Sequence, residues 1–126
     1  MSDSLDRLYR AVLAARTADP ASSRTARLLR AGRGKMAKKL AEEAVEVVID
    51  AMNGHTDAVV RESADLLYNL VVLWVASGVH PQDVLTEMER RERLLGIAEK
   101  LPKEGPDASP RRKVVALDRS RVRKRR

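Results

Sequence analysis

Two pairs of carboxylates, set on either side of a single turn, constrain this chain more than anything else in it. Glu43 and Glu46 are three residues apart, and so are Glu62 and Asp65. On a helix that spacing puts both members of a pair on one face. Between the pairs runs Asn53-Gly54-His55-Thr56, a turn signal. Two helices folded back at that turn bring the pairs to one level within about 1.5 Å, the rise of a single helical residue. Four carboxylates then meet, and like charges that close repel strongly in a partly dry site. A divalent cation relieves the repulsion, and an all-oxygen set favours a hard one, magnesium or manganese. Glu42-Glu43-x-x-Glu46 alone reads as a solvated helix face. Asp65 argues otherwise, because it stands directly before apolar Leu66-Leu67, where a carboxylate needs a partner. From the residues alone, a metal site and a solvated acidic face both stay open.

Hydrophobic periodicity predicts an all-α chain of four main helices. The first covers residues 4–18, with Leu5, Leu8, Val12 and Ala15 at helical spacing, Asp3 or Ser4 as cap and Asp19-Pro20 as stop. Residues 21–34 are polar, with at most a short turn at Arg27-Leu28-Leu29-Arg30. The second helix covers 35–52, with Met36, Leu40, Ala44, Val47, Val48 and Ala51 as its stripe; the third covers 57–76. Residues 66–75 are apolar almost all round, which in so small a chain suggests a partner subunit. Gly78 stops that helix, and Pro81 opens the fourth, striped by Val84, Leu85, Met88 and Leu95. The chain contains no Phe, and aromatics are 2% of it, so the core rests on Leu, Val, Ala and Met, as suits a helical bundle.

At 126 residues the chain has room for one modest core, expected over residues 1–102. The net charge of +7 lies wholly in residues 103–126, which hold ten basic and three acidic residues and read as a disordered basic tail. Within the body, residues 16–39 are the one strongly positive stretch, with eight basic residues and one acid. Cysteine is absent, which excludes disulfides, thiolate nucleophiles and cysteine metal sites and fits a reducing cytoplasm. No apolar run is long enough to span a membrane, and Asp3, Asp6, Arg7 and Arg10 interrupt any secretion signal. Gly32-Arg33-Gly34-Lys35 lacks P-loop spacing but offers a flexible basic loop for phosphate. Asn69, four residues after Asp65, and Asp50, four after Glu46, share the face of the acidic pairs, and Asn69 is a candidate to support the ligands from behind. His55 and His80 read as surface or capping residues, and Trp74 as core or interface.

Glu-Glu-x-x-Glu followed at this distance by Glu-x-x-Asp resembles the metal motif of the MazG-like, all-α nucleotide pyrophosphohydrolases. The longer runs, residues 35–49, Glu62-Ser63-Ala64-Asp65-Leu66-Leu67-Tyr68 and Val79-His80-Pro81-Gln82-Asp83-Val84, are similar to the phosphoribosyl-ATP pyrophosphohydrolases of histidine biosynthesis. The resemblance covers roughly residues 5–100. It departs at Ala41, where the family has glycine, at Asn69, where histidine is common, and at Leu95-Gly96, ahead of Glu99-Lys100, where Ser-Gly is usual. It implies a magnesium-dependent helical homodimer with Glu43, Glu46, Glu62 and Asp65 as ligands. It also implies cleavage of phosphoribosyl-ATP to phosphoribosyl-AMP and pyrophosphate. On that reading Glu42 or Asp50 handles the proton of the attacking water, and Lys35, Lys39 and Arg33 are candidates for phosphate oxygens. Hydrolysis of another nucleoside triphosphate is the alternative. A non-catalytic nucleic-acid or interaction module led by the basic tail is a third reading, which the carboxylate quartet argues against.

Overall fold

The turn between the acidic pairs forms as its residues require. In the computed structural model, which describes residues 2–95, Asn53 ends one long helix and Gly54 follows with a positive φ of 74°. That left-handed conformation suits glycine, which has no Cβ to clash. Gly54 N–H donates to the Ala51 carbonyl at 3.1 Å and His55 N–H to that of Asp50 at 2.9 Å, so the last turn closes on itself before the next helix starts. The helices are α1 (Ser2–Ala15), α2 (Arg24–Ala31), α3 (Arg33–Met52), α4 (Thr56–Ser77) and α5 (Pro81–Leu95), and the described residues contain no strand. None of these helices is long and apolar enough to cross a membrane.

The chain divides into two compact units, one ending at Val84 and the other beginning at Leu85. In the first, α3 and α4 form the hairpin, and α1 and α2 pack on it. The core is Val12 of α1, Met36 of α3, and Val71, Val72 and Val75 of α4, with Leu5, Leu8, Leu28, Leu29 and Trp74 packed around it. The apolar half of α4 is thus largely consumed inside the monomer: Val71 and Val72 are 0% exposed. The uncovered apolar surface lies nearer the turn. Val45, Val48, Ile49 and Met52 of α3 share one face, and Val60 and Leu67 of α4 share another. Met52 is 81% and Val60 66% exposed. Val48 and Ala51, expected in the inward stripe of their helix, are both exposed.

Helix ends follow recognisable chemistry. Gly78, at φ 76°, closes α4, with Val79 N–H donating to the Trp74 carbonyl at 2.9 Å and Gly78 N–H to that of Val75 at 3.3 Å, the Schellman pattern. His80 starts α5. Its Nδ1 accepts from Gln82 N–H at 2.9 Å, the Asp83 carboxylate accepts from His80 N–H at 3.0 Å, and its ring packs on Tyr9 with centroids 4.4 Å apart.

Two boundaries differ from expectation. The first helix runs Ser2–Ala15, and residues 16–18 continue only as tight turns, with Ala18 N–H donating to the Ala15 carbonyl at 3.1 Å. The stretch expected as a loop holds α2, eight residues capped by Ser23, whose Oγ accepts from Ala26 N–H at 3.0 Å. Its hydrophobic content is small, and it is fixed by packing: Ala26 is buried, Leu28 and Leu29 reach the core, and the Thr25 hydroxyl bonds the Tyr68 hydroxyl at 2.6 Å.

Of the second unit, residues 85–95 are described. Glu87 accepts from Arg90 and Arg91, each at 3.0 Å, and the Arg91 bond foremost holds its carboxyl below the ordinary range. The basic segment 103–126 and Glu99-Lys100 lie outside the described residues.

Candidate active site

One face of α3 carries Lys35, Lys39, Glu43, Glu46 and Asp50, at intervals of four, four, three and four residues. Such spacing makes a single stripe along a helix. Its first half is cationic and its second half anionic. The α3–α4 hairpin sets Glu62 and Asp65 opposite the anionic half. Glu43, Glu62 and Asp65 each offer a carboxylate oxygen within 4.8 Å of the other two. Glu46, more exposed, lies against Glu62. The Glu62 carboxyl is pushed up from 4.5 to about 7, first because its protonated form can donate to Glu46, then because it can donate to Glu43, and further by burial and by the two negative charges. Such a shift belongs to carboxyls that cannot all ionise together.

Glu43 Oε1 and Glu62 Oε1 are buried and meet no hydrogen-bond donor. A buried oxygen left without a donor is costly, and a cation is the partner that would satisfy both at once. The residues present therefore fit a hard divalent ion. Asp65 is the open side of the trio.

The remaining predicted residues distribute around this cluster. Asn69 is 1% exposed, but its Nδ2 donates to the main-chain carbonyl of Asp65 at 2.8 Å and not to a carboxylate, and its Oδ1 has no donor. Asp50, one turn beyond Glu46, faces the turn, with Oδ1 3.5 Å from His55 Nδ1. Glu42 points elsewhere, into a cavity of about 370 Å³ between α2 and α3 that it lines with Arg24, Arg27, Lys35, Lys38 and Lys39. Lys35 and Lys39 thus line this cavity, whereas exposed Arg33 does not.

Three of these cations, Arg24, Arg27 and Lys38, were not singled out from the sequence. The positive stretch 16–39 was legible, but a position within it has no direction until α2 exists. The Arg24 guanidinium lies over the Tyr68 ring, 5.2 Å from its centre, and Arg27 donates to the Pro20 carbonyl at 2.8 Å.

The sequence profile described as phosphoribosyl-ATP pyrophosphohydrolase matches residues 5–92. The chain is 67% identical to a protein of Rhodopseudomonas palustris named phosphoribosyl-ATP pyrophosphatase 2, with 100% of both chains covered. It is 66% identical to the protein of the same name from Bradyrhizobium diazoefficiens, over 99% of each. It is 53% identical to a phosphoribosyl-ATP pyrophosphatase of Gluconobacter oxydans, over 79% of this chain and 77% of that one.

Proposed function

The chain belongs to the phosphoribosyl-ATP pyrophosphohydrolase family, and on that premise we propose that it hydrolyses phosphoribosyl-ATP to phosphoribosyl-AMP and pyrophosphate, a step of histidine biosynthesis. The observation that carries the reading is the trio Glu43, Glu62 and Asp65, with two buried carboxylate oxygens lacking donors, in a chain that matches two of these relatives over at least 99% of its length.

The obstacles to cleaving a phosphoanhydride are the charge of the phosphates and the weakness of water as a nucleophile. Magnesium bound to this cluster would supply offsetting charge and make water a stronger nucleophile by lowering its pKa. Glu43, Glu62 and Asp65, with Glu46 beside Glu62, would hold it, and manganese would suit the same all-oxygen set. The side chains then do the rest. Lys39, one turn before Glu43, binds phosphate oxygens and holds the chain of phosphates along the stripe. Water adds to the α-phosphorus, and the bond from that phosphorus to the bridging oxygen breaks. The electron pair leaves with pyrophosphate. Asp50, on the ligand face, and Glu42, turned among the lysines, are the two candidates to take the proton of the water.

The partner in this reading is a second copy of the chain. The face made by Val45, Val48, Ile49 and Met52, with Val60 and Leu67 alongside, is apolar and uncovered in the monomer, and surfaces of that kind mark association sites. It adjoins the acidic half of α3, so a dimer formed there would also shield the carboxylates from water.

The deciding assay uses purified chain and magnesium with phosphoribosyl-ATP and a panel of nucleoside triphosphates, with pyrophosphate release as readout. Preferential release from phosphoribosyl-ATP is expected. Comparable or faster release from an ordinary nucleoside triphosphate would replace the proposed substrate.

A further inference from the structure

The cavity between α2 and α3 contains more positive charge than a polyphosphate at the carboxylates can use. Lys39 is one turn from Glu43, but Lys35 lies two turns away, about 12 Å along the axis at the helical rise. Arg24 and Arg27 reach the same cavity from a different helix. Among the described residues, no carboxylate pairs with Arg24, Lys35, Lys38 or Lys39, although Glu42 stands among them. A nucleoside triphosphate is anionic at one end only. With that end held at the carboxylates, its neutral base and sugar would leave these cations unmatched. A substrate with a second phosphate at its far end would not.

The α2 wall is also fixed to the helix that carries Glu62 and Asp65. Tyr68, three residues after Asp65, bonds Thr25 through its hydroxyl at 2.6 Å and supports the Arg24 guanidinium on its ring. Cation–π contacts and a part-buried hydroxyl pair hold Arg24 in one place without neutralising it.

We infer that this cavity is a second anion subsite, lined by Arg24, Arg27, Lys35 and Lys38, which takes the phosphate monoester of the phosphoribosyl group and thereby separates phosphoribosyl-ATP from ATP. Tyr68 is its positioning residue. The inference deepens the proposed function and rests on it for the identity of the substrate. The shared chemistry is a phosphate group; the test separates a monoester on ribose from the triphosphate arm.

The test compares the full chain with Arg24→Gln/Arg27→Gln, with Tyr68→Phe, and with Arg10→Gln, a control on α1 whose partner is Asp6. With magnesium, kcat and KM are measured for phosphoribosyl-ATP, and ATP is titrated as an inhibitor. The double variant is expected to raise KM for phosphoribosyl-ATP tenfold or more, with kcat and the ATP inhibition constant held within twofold. Tyr68→Phe shifts KM the same way by a smaller factor, and Arg10→Gln changes nothing. An equal loss of affinity for ATP assigns the cavity to the triphosphate arm and overturns the inference, as does an unchanged KM. Calorimetric titration of magnesium-free protein with ribose 5-phosphate gives an answer independent of turnover. Wild type and Arg10→Gln bind it and the double variant does not; equal binding by all three rejects the subsite. Should wild type fail to hydrolyse phosphoribosyl-ATP while this binding difference stands, the proposed substrate is wrong and the subsite is not. A rise in melting temperature with magnesium in every variant shows that each is folded.

Discussion

Glu62 of α4 lies against Glu46 of α3 across the hairpin, and the hydrogen bond that a proton on Glu62 would make to that carboxylate is the foremost reason its carboxyl is held at about 7. Two helices that meet through carboxyls must keep a proton or take up a cation. This makes the stability of the hairpin depend on pH and metal together.

Metal-free protein should therefore lose stability as pH rises. The folded Glu62 binds its proton more tightly than the unfolded one, between 4.5 and about 7. The folded state holds more protons in that window, so unfolding becomes easier as pH increases. The stabilisation is complete below 4.5 and gone above about 7. Melts in EDTA across this range should show a falling midpoint that Glu62→Gln flattens; a midpoint that climbs with pH would contradict the clustered geometry.

Glu46→Gln keeps the shape of the side chain and removes a charge. Hydrolysis should fall about a hundredfold or more, the order of loss seen when electrostatic stabilisation is removed. The magnesium-dependent rise in melting temperature should shrink with it. Glu89→Gln on α5, exposed and outside the cluster, is the control. Full activity and a wild-type magnesium response in both variants would leave the acidic face merely solvated.

Light scattering of the 14.0 kDa chain should give the mass of a dimer at micromolar concentration. Val48→Asp, placed on the uncovered face of α3, should halve it. A monomeric mass for wild type would remove the partner proposed for that face.

Ser23→Ala takes away the only side-chain cap of α2 and should cost about 1 kcal/mol of stability. Because α2 forms one wall of the basic cavity, KM should rise more than kcat falls. Equal thermal stability of the two proteins by calorimetry would show that the cap contributes nothing.

The hairpin was legible in the sequence because each of its signals is local: Asn53-Gly54 for the turn, residues three apart for each acidic face, Gly78 and Pro81 for the ends. Helix α2 was not legible for the opposite reason. What holds it is Tyr68, 43 residues from Thr25, and no window around Leu28 and Leu29 contains that contact. The cavity cations followed α2 into obscurity. Periodicity also described residues 66–75 as apolar all round without saying what would cover them, and α1 and α2 cover much of that surface. Spacing treated Glu43 and Glu46 alike, whereas the fold gives Glu43 a place in the close trio and leaves Glu46 at its edge. Asn69 shares the face of Asp65, as its spacing requires, but its amide turns to the main chain.

The stripe on α3 runs against the electrical preference of the helix that bears it. A helix is stabilised by anions near its start and cations near its end, and a glutamate placed four residues before a lysine does better than the reverse. Helix α3 has Lys39 before Glu43, no acid in its first turn, no base in its last, and no side-chain cap at Gly32. Its own dipole is left uncompensated and points the same way as its side chains, positive toward the basic cavity and negative toward the carboxylates. The whole helix thus acts as one oriented charge separation. It gives up some stability of its own in exchange for a field that draws polyanions to one end and cations to the other.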